Sequence, residues 1–178
     1  MTMPLEPTLT TSISTHNLDA PGATIAYDVR GRLGDGIPLL LVGSPMGAEG
    51  FGTLAGHFTD RPVVTYDPRG VGRSTRTDGH GDITPDHHAG DLQRIVEAIG
   101  GGPVDVLASS GGAVNALAWV AEHDEQVRTL VAHEPPLATV LPDRQALTAA
   151  IEDMRQTYQR DGMGPAMAKF ILLVGHDG

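Results

Sequence analysis

Cysteine is missing from the chain, which excludes disulfides, thiolate catalysis and cysteine-ligated zinc. Aromatic residues are scarce at 4%, so a core has to be assembled from valine, leucine, isoleucine and alanine. Lysine occurs once, at Lys169, which removes the Gly-Lys-Ser/Thr of a phosphate-binding P-loop. Positive charge is short overall: 12 basic against 22 acidic residues leave a net charge of −10, which repels a phosphate backbone and argues against nucleic-acid partners. No apolar run is long enough to span a bilayer. Met1 to Ser14 carries neither the basic segment nor the apolar run of a signal peptide, so a cytoplasmic protein with no membrane partner is expected.

What is present describes a globular domain, with 40% hydrophobic and 19% charged residues in 178. Residues 1–11 read as a flexible terminus, 12–136 as a core and 137–178 as a helical segment. Ile13 to Leu18 and Thr24 to Val29 read as an antiparallel hairpin turning at Asp19-Ala20-Pro21-Gly22. Ile37 to Val42 is continuously apolar, as a central strand covered on both faces requires. Phe51, Leu54, Ala55 and Phe58 recur at helical spacing and predict one buried stripe. Pro62 to Tyr66 is a further strand, followed by a glycine-rich turn from Asp67 to Ser74 and a polar excursion from Thr75 to Asp82. Thr84 is placed to cap a helix that has Pro85 at its first position, Leu92, Ile95, Val96 and Ile99 on its apolar face, and Gly100 as its stop.

Val104 to Leu107 is another short buried strand, Gly112 opens an alanine- and leucine-rich helix, and Val127 to Ala132 is one more strand. Strands alternating with helices at this rhythm predict an α/β fold, mostly parallel, with helices on both faces. Ligands of such sheets bind beyond the carboxyl ends of the strands, so the turns at Gly43, Asp67 and Ser110 should converge on one crevice. After Pro135-Pro136 the pattern becomes two successive helices. The first runs from an Asp143 cap to Gly162, with Leu147, Ile151, Met154 and Tyr158 on one face. The second starts at Pro165 and carries Met167, Phe170, Ile171 and Val174. Two helices without an intervening strand suggest a lid over the crevice.

The turn Ala108-Ser109-Ser110-Gly111-Gly112 joins a strand to a helix, the setting of a nucleophile elbow. Such a bend crowds the residues two before and two after the nucleophile. Ser110 has Ala108 and Gly112 there, whereas Ser109 would have Leu107, so Ser110 is the candidate nucleophile.

Four segments in order resemble the α/β-hydrolase superfamily. Leu39 to Pro45 resembles its strand and oxyanion loop, and Asp67-Pro68-Arg69-Gly70-Val71-Gly72-Arg73-Ser74 resembles its D-x-R-G-x-G-x-S turn. Ala108 to Gly112 resembles the elbow, and Val127 to Pro136 the strand that leads into the lid. The resemblance implies a serine hydrolase that cleaves an ester-like acyl bond of a small, hydrophobic substrate through an acyl-enzyme on Ser110. It implies the backbone N–H groups of Ser44 and Gly111 as the oxyanion hole, and no cofactor. Val42 stands where the family usually has histidine.

In the family the acid and the histidine base follow the nucleophile, on two last strands for which the sequence shows no counterpart. The base is therefore expected from sequence not shown, the 178-residue chain alone is expected to have little turnover, and Val127–Ala132 is expected to be a sheet edge open to pairing with a second copy. Glu134, after that strand, is a candidate acid. His176 with Asp177, His16, His57 and His123 read as terminal, surface or packing residues. His80, Asp82, Asp86, His87, His88 and Asp91 match no standard metal spacing, and adjacent helical residues such as His87 and His88 point about 100° apart, so no metal is expected. Asp67, Arg69 and Asp91 read as structural. The alternative function is a non-catalytic ligand-binding or interaction protein on a hydrolase-like core.

Overall fold

The computed structural model describes residues 12–79 and 81–175. The expectations for residues 1–11, His80, His176 and Asp177 fall outside them. The chain divides into two compact units, residues 1–136 and 137–178.

The first unit is built on a sheet of seven strands: β1 (Ile13–Ala20), β2 (Ala23–Arg30), β3 (Leu39–Val42), β4 (Val63–Tyr66), β5 (Thr75–Arg76), β6 (Val104–Ser109) and β7 (Val127–His133). The order is β1-β2-β4-β3-β6-β7, with β5 paired to β2. β1 and β2 form the antiparallel hairpin, while β4, β3, β6 and β7 run parallel. The mixed sheet is the one expected from the sequence. β5 is an addition: a two-residue strand inside the polar excursion, too short to show a period.

Alternation along the strands divides the core. Leu40, Val42, Val64, Tyr66, Val106 and Ala108 face α2 (Pro85–Ala98) and α3 (Gly111–Glu122), where they pack on Leu92, Ile95, Val96, Ala113, Ala116 and Trp119. Leu39, Leu41 and Val63 face the other side, against Phe51 and Ala55 of a short 3₁₀ turn (Ala48–Phe51) and α1 (Gly52–Gly56). The expected stripe there is shorter than its spacing suggested. Leu54 is exposed, because α1 has a single turn and cannot carry a second buried row. At the start of α2, His87 Nδ1 accepts the Thr84 backbone N–H at 3.1 Å, so this histidine serves as a cap.

The second unit consists of a 3₁₀ turn (Ala138–Val140), α4 (Arg144–Asp161) and α5 (Met163–Val174). Asp143 sits at the N-cap position of α4 without a side-chain cap bond. α5 starts at Met163, so Pro165 lies inside its first turn, where a missing N–H costs nothing. Lys169 of α5 pairs with Asp153 of α4, and Met154, Tyr158, Met163, Met167 and Phe170 line an apolar groove on this unit. No helix among the described residues is long and apolar enough to cross a membrane.

Candidate functional site

Because β3, β4 and β6 are parallel, the loops that leave them emerge at one edge of the sheet. Two contacts tie those loops together. The Asp67 carboxylate, at the end of β4, accepts the Ala48 N–H at 2.8 Å, the Arg73 N–H at 2.9 Å and Arg73 Nε at 2.7 Å. Burial alone would push this carboxyl up; the Arg73 and backbone donors outweigh it and hold the carboxyl below the usual aspartate range. Ser74 Oγ donates to the Asp67 carbonyl at 2.6 Å and accepts the Ala26 N–H at 2.9 Å, pinning the end of the turn to β2. Asp67 is thus occupied by main-chain groups and by Arg73, and Ser74 by main-chain groups, and their part is to hold loops.

The second contact joins the loop after β3 to the turn after β6. A methyl group added at Gly111 would lie 2.7 Å from the Ser44 carbonyl oxygen. One added at Gly112 would lie 2.4 Å from the Val42 carbonyl oxygen and 2.8 Å from Gly43 Cα. Both neighbours are backbone and cannot rotate away, so the elbow needs glycine at both positions. Gly112→Ala is expected to lower stability by about 1–3 kcal/mol, measured as a shift of the urea midpoint. An unchanged midpoint would mean that α3 can retreat from β3 without cost.

Ser110 sits at the apex between β6 and α3 with φ 54° and ψ −126°. Positive φ is disfavoured for any residue with a Cβ. The bend is fixed from three sides: Ala108 is fully buried, Gly112 abuts β3, and the Ser110 N–H donates to the His133 carbonyl at 2.9 Å. Ser110 is exposed, while Ser109 remains the last residue of β6. Neither the Ser44 N–H nor the Gly111 N–H is bonded to a backbone carbonyl among the described residues. The Gly111 N–H also belongs to the first turn of α3, where the helix dipole favours negative charge.

The structure therefore brings Ser44, Ser110 and Gly111 to one place. Glu134 follows β7 at the same end, with φ 49°. No histidine among the described residues is hydrogen-bonded to the Ser110 hydroxyl; His133 Nδ1 lies 3.5 Å from the neighbouring Ser109 Oγ. Sequence reasoning did not find that pair, because it depends on β7 lying in register with β6, Ser109 opposite His133, past an irregularity at Val104/Asp105. Among the described residues no cluster of three or more histidine, aspartate or glutamate side chains is arranged to hold a metal ion.

A strand order with a parallel centre and a strained serine between β6 and α3 are the marks of an α/β-hydrolase core. A family model described as alpha/beta hydrolase fold matches residues 39–169, and the chain belongs to that family. YraK of Bacillus subtilis (strain 168), named as an uncharacterized hydrolase, is 33% identical over 153 residues, which are 84% of this chain and 56% of YraK. Among solved structures, MGS-M2, an alpha/beta hydrolase enzyme from a deep-sea metagenome library, superimposes with a TM-score of 0.64 at 16% identity, over 78% of this chain and 49% of its own. The epoxide hydrolase CorEH superimposes with a TM-score of 0.57 at 22% identity, over 67% of this chain and 41% of its own. The chain spans about half the length of the curated relatives it matches.

Proposed function

We propose that this protein is a serine hydrolase that cleaves an ester-like acyl bond through an acyl-enzyme on Ser110. The observation that carries the reading is the strained, exposed Ser110 at the bend between β6 and α3; the Ser44 and Gly111 N–H groups, bonded to no backbone carbonyl among the described residues, are the candidate donors. In the reaction the Ser110 hydroxyl adds to the carbonyl carbon as a base takes its proton. The negative charge that develops on the carbonyl oxygen is received by the two N–H groups, and the leaving group departs with a proton from the base. Each such donor typically contributes on the order of 100- to 1000-fold in rate. A histidine serves as the base, and Glu134 is the candidate acid that orients it.

The test is reaction of the full-length protein with a fluorophosphonate, followed by mapping of the modified peptide. The expected result is a single adduct on Ser110. An adduct confined to Ser109 would overturn the choice of nucleophile, and no adduct would favour the binding-protein alternative.

A further inference from the structure

On the α1 face of the sheet lies a cavity of about 470 Å³, a volume within the range of small-molecule sites. None of Ser44, Ser110 and Gly111 lines it. Its floor follows from the strand pattern. Alternation puts Val63, Thr65 and Asp67 on one face, and the antiparallel register sets Arg30 of β2 opposite Val63 and Asp28 opposite Thr65. Ala48, Glu49 and Ala55 close the cavity from the side of the 3₁₀ turn and α1. Thr65 is only 7% exposed, and its hydroxyl takes part in no hydrogen bond among the described residues. A buried polar group in the cavity wall is therefore left without a protein partner, which is uncommon.

The charged side chains in the wall are Asp28, Arg30, Glu49, Asp67 and Arg73. Arg73 is spent on two of them. Its Nη1 and Nη2 each donate to the Asp28 carboxylate at 2.9 Å, and its Nε donates to Asp67 at 2.7 Å. One guanidinium shared by two carboxylates leaves a surplus of negative charge there. Glu49 stands at the Asp67 end as well, because it follows Ala48, whose N–H is held by the Asp67 carboxylate. Arg30 stands at the other end, opposite Val63. Neither Arg30 nor Glu49 has an ion pair among the described residues. Four residues of extended chain separate Val63 from Asp67, about 13 Å. The cavity is thus polarised along its length, with an uncommitted cation at one end, surplus negative charge at the other and the Thr65 hydroxyl between them.

We infer that this cavity binds a short peptide with free termini, its carboxylate on Arg30, its ammonium at Glu49 and the carboxylates of Asp28 and Asp67, and an amide on Thr65. An extended tripeptide measures about 10 Å from end to end, which fits the span once the Arg30 and Glu49 side chains reach inward. A single amino acid carries both charges on one carbon and cannot engage the two ends together. The apolar part of the wall, with Ala48, Ala55 and Val63, takes up small side chains. The site is separate from the elbow and stands whether or not Ser110 attacks an acyl bond.

The experiment titrates the full-length protein calorimetrically with trialanine, its N-acetyl form and its C-terminal amide. Each capped form is expected to bind about 3- to 10-fold more weakly, the worth of one half-exposed charged contact. Arg30→Met protein is expected to bind the free peptide and the amide alike, and Glu49→Gln protein to lose most of its discrimination against the acetylated form, which assigns each terminus to its end. Gly52 lines the cavity with a helical φ of −54°, and a Cβ added there meets nothing within 4 Å. Gly52→Leu is therefore expected to abolish peptide binding while the urea midpoint and ester turnover stay at parent level. The inference is overturned by absence of trialanine binding at millimolar concentration, by capping penalties that persist unchanged in the Arg30 and Glu49 variants, or by undiminished binding to Gly52→Leu protein. ε-Aminocaproate, which has separated charges but no amide for Thr65, is expected to bind more weakly than trialanine; equal binding would overturn the assignment to peptides.

Discussion

Ser110→Ala is expected to remove the fluorophosphonate adduct and to lower ester turnover by about 10⁴- to 10⁶-fold, since loss of the attacking oxygen disables the other members of the site at once. Far-UV circular dichroism and the urea midpoint should stay near those of the parent, because no side-chain bond of Ser110 holds α3. A companion variant separates chemistry from backbone. Glycine at this position keeps the turn and tolerates φ 54°, so Ser110→Gly is expected to be inactive yet more stable, by about 1 kcal/mol. An active Ser110→Ala protein would refute the nucleophile. A Ser110→Gly protein no more stable than Ser110→Ala would mean that the bend carries no strain.

The largest loss of stability is expected from Asp91→Ala. Asp91 is completely buried and receives Arg69 Nε at 2.9 Å and Arg69 Nη2 at 2.7 Å, a two-pronged pair between the turn after β4 and helix α2. Arg69 has a side-chain exposure of 2%, so removal of its partner leaves a buried guanidinium uncompensated. The cost is about 3–5 kcal/mol, against a total stability of about 5–15 kcal/mol for a domain. Burial first, and the Asp91 charge second, hold the Tyr66 hydroxyl protonated. Replacement of both partners, Arg69→Met with Asp91→Leu, should recover part of the loss by removing the stranded charge. Recovery stays incomplete because Arg69 also donates to the carbonyls of Pro21 and His87, which would lose their donor. Urea unfolding of the single and double variants checks both statements; a harmless Asp91→Ala would show that water reaches Arg69.

These two sites also mark how much could be read from the chain. The Ser110 bend was legible because it depends on neighbours in sequence: small residues at 108, 111 and 112 are a local requirement of any bend that tight. The turn from Asp67 to Ser74 was legible as a unit for the same reason. Its partners were not, since Ala48, Ala26 and Asp91 reach it only through the strand order. Leu54 was misread because helical spacing gives the angle of a side chain and not the depth of its helix. Thr75–Arg76 pairs with β2 for only two residues, below the length at which alternation can register. Glu134 stood out as a carboxylate after a strand end. The nearness of His133 to Ser109 became visible only with the register of β6 against β7.

The His133 carbonyl that fixes the elbow grips Ser110 by its amide, and Gly111 and Gly112 shape the bend through their close approach to the main chain of β3 and the loop after it. The scaffold is consequently indifferent to what it displays. A carboxylate or a thiol at this position would be held out in the same attitude, so a lineage built on this bend is free to trade one reaction for another without having to relearn how to fold.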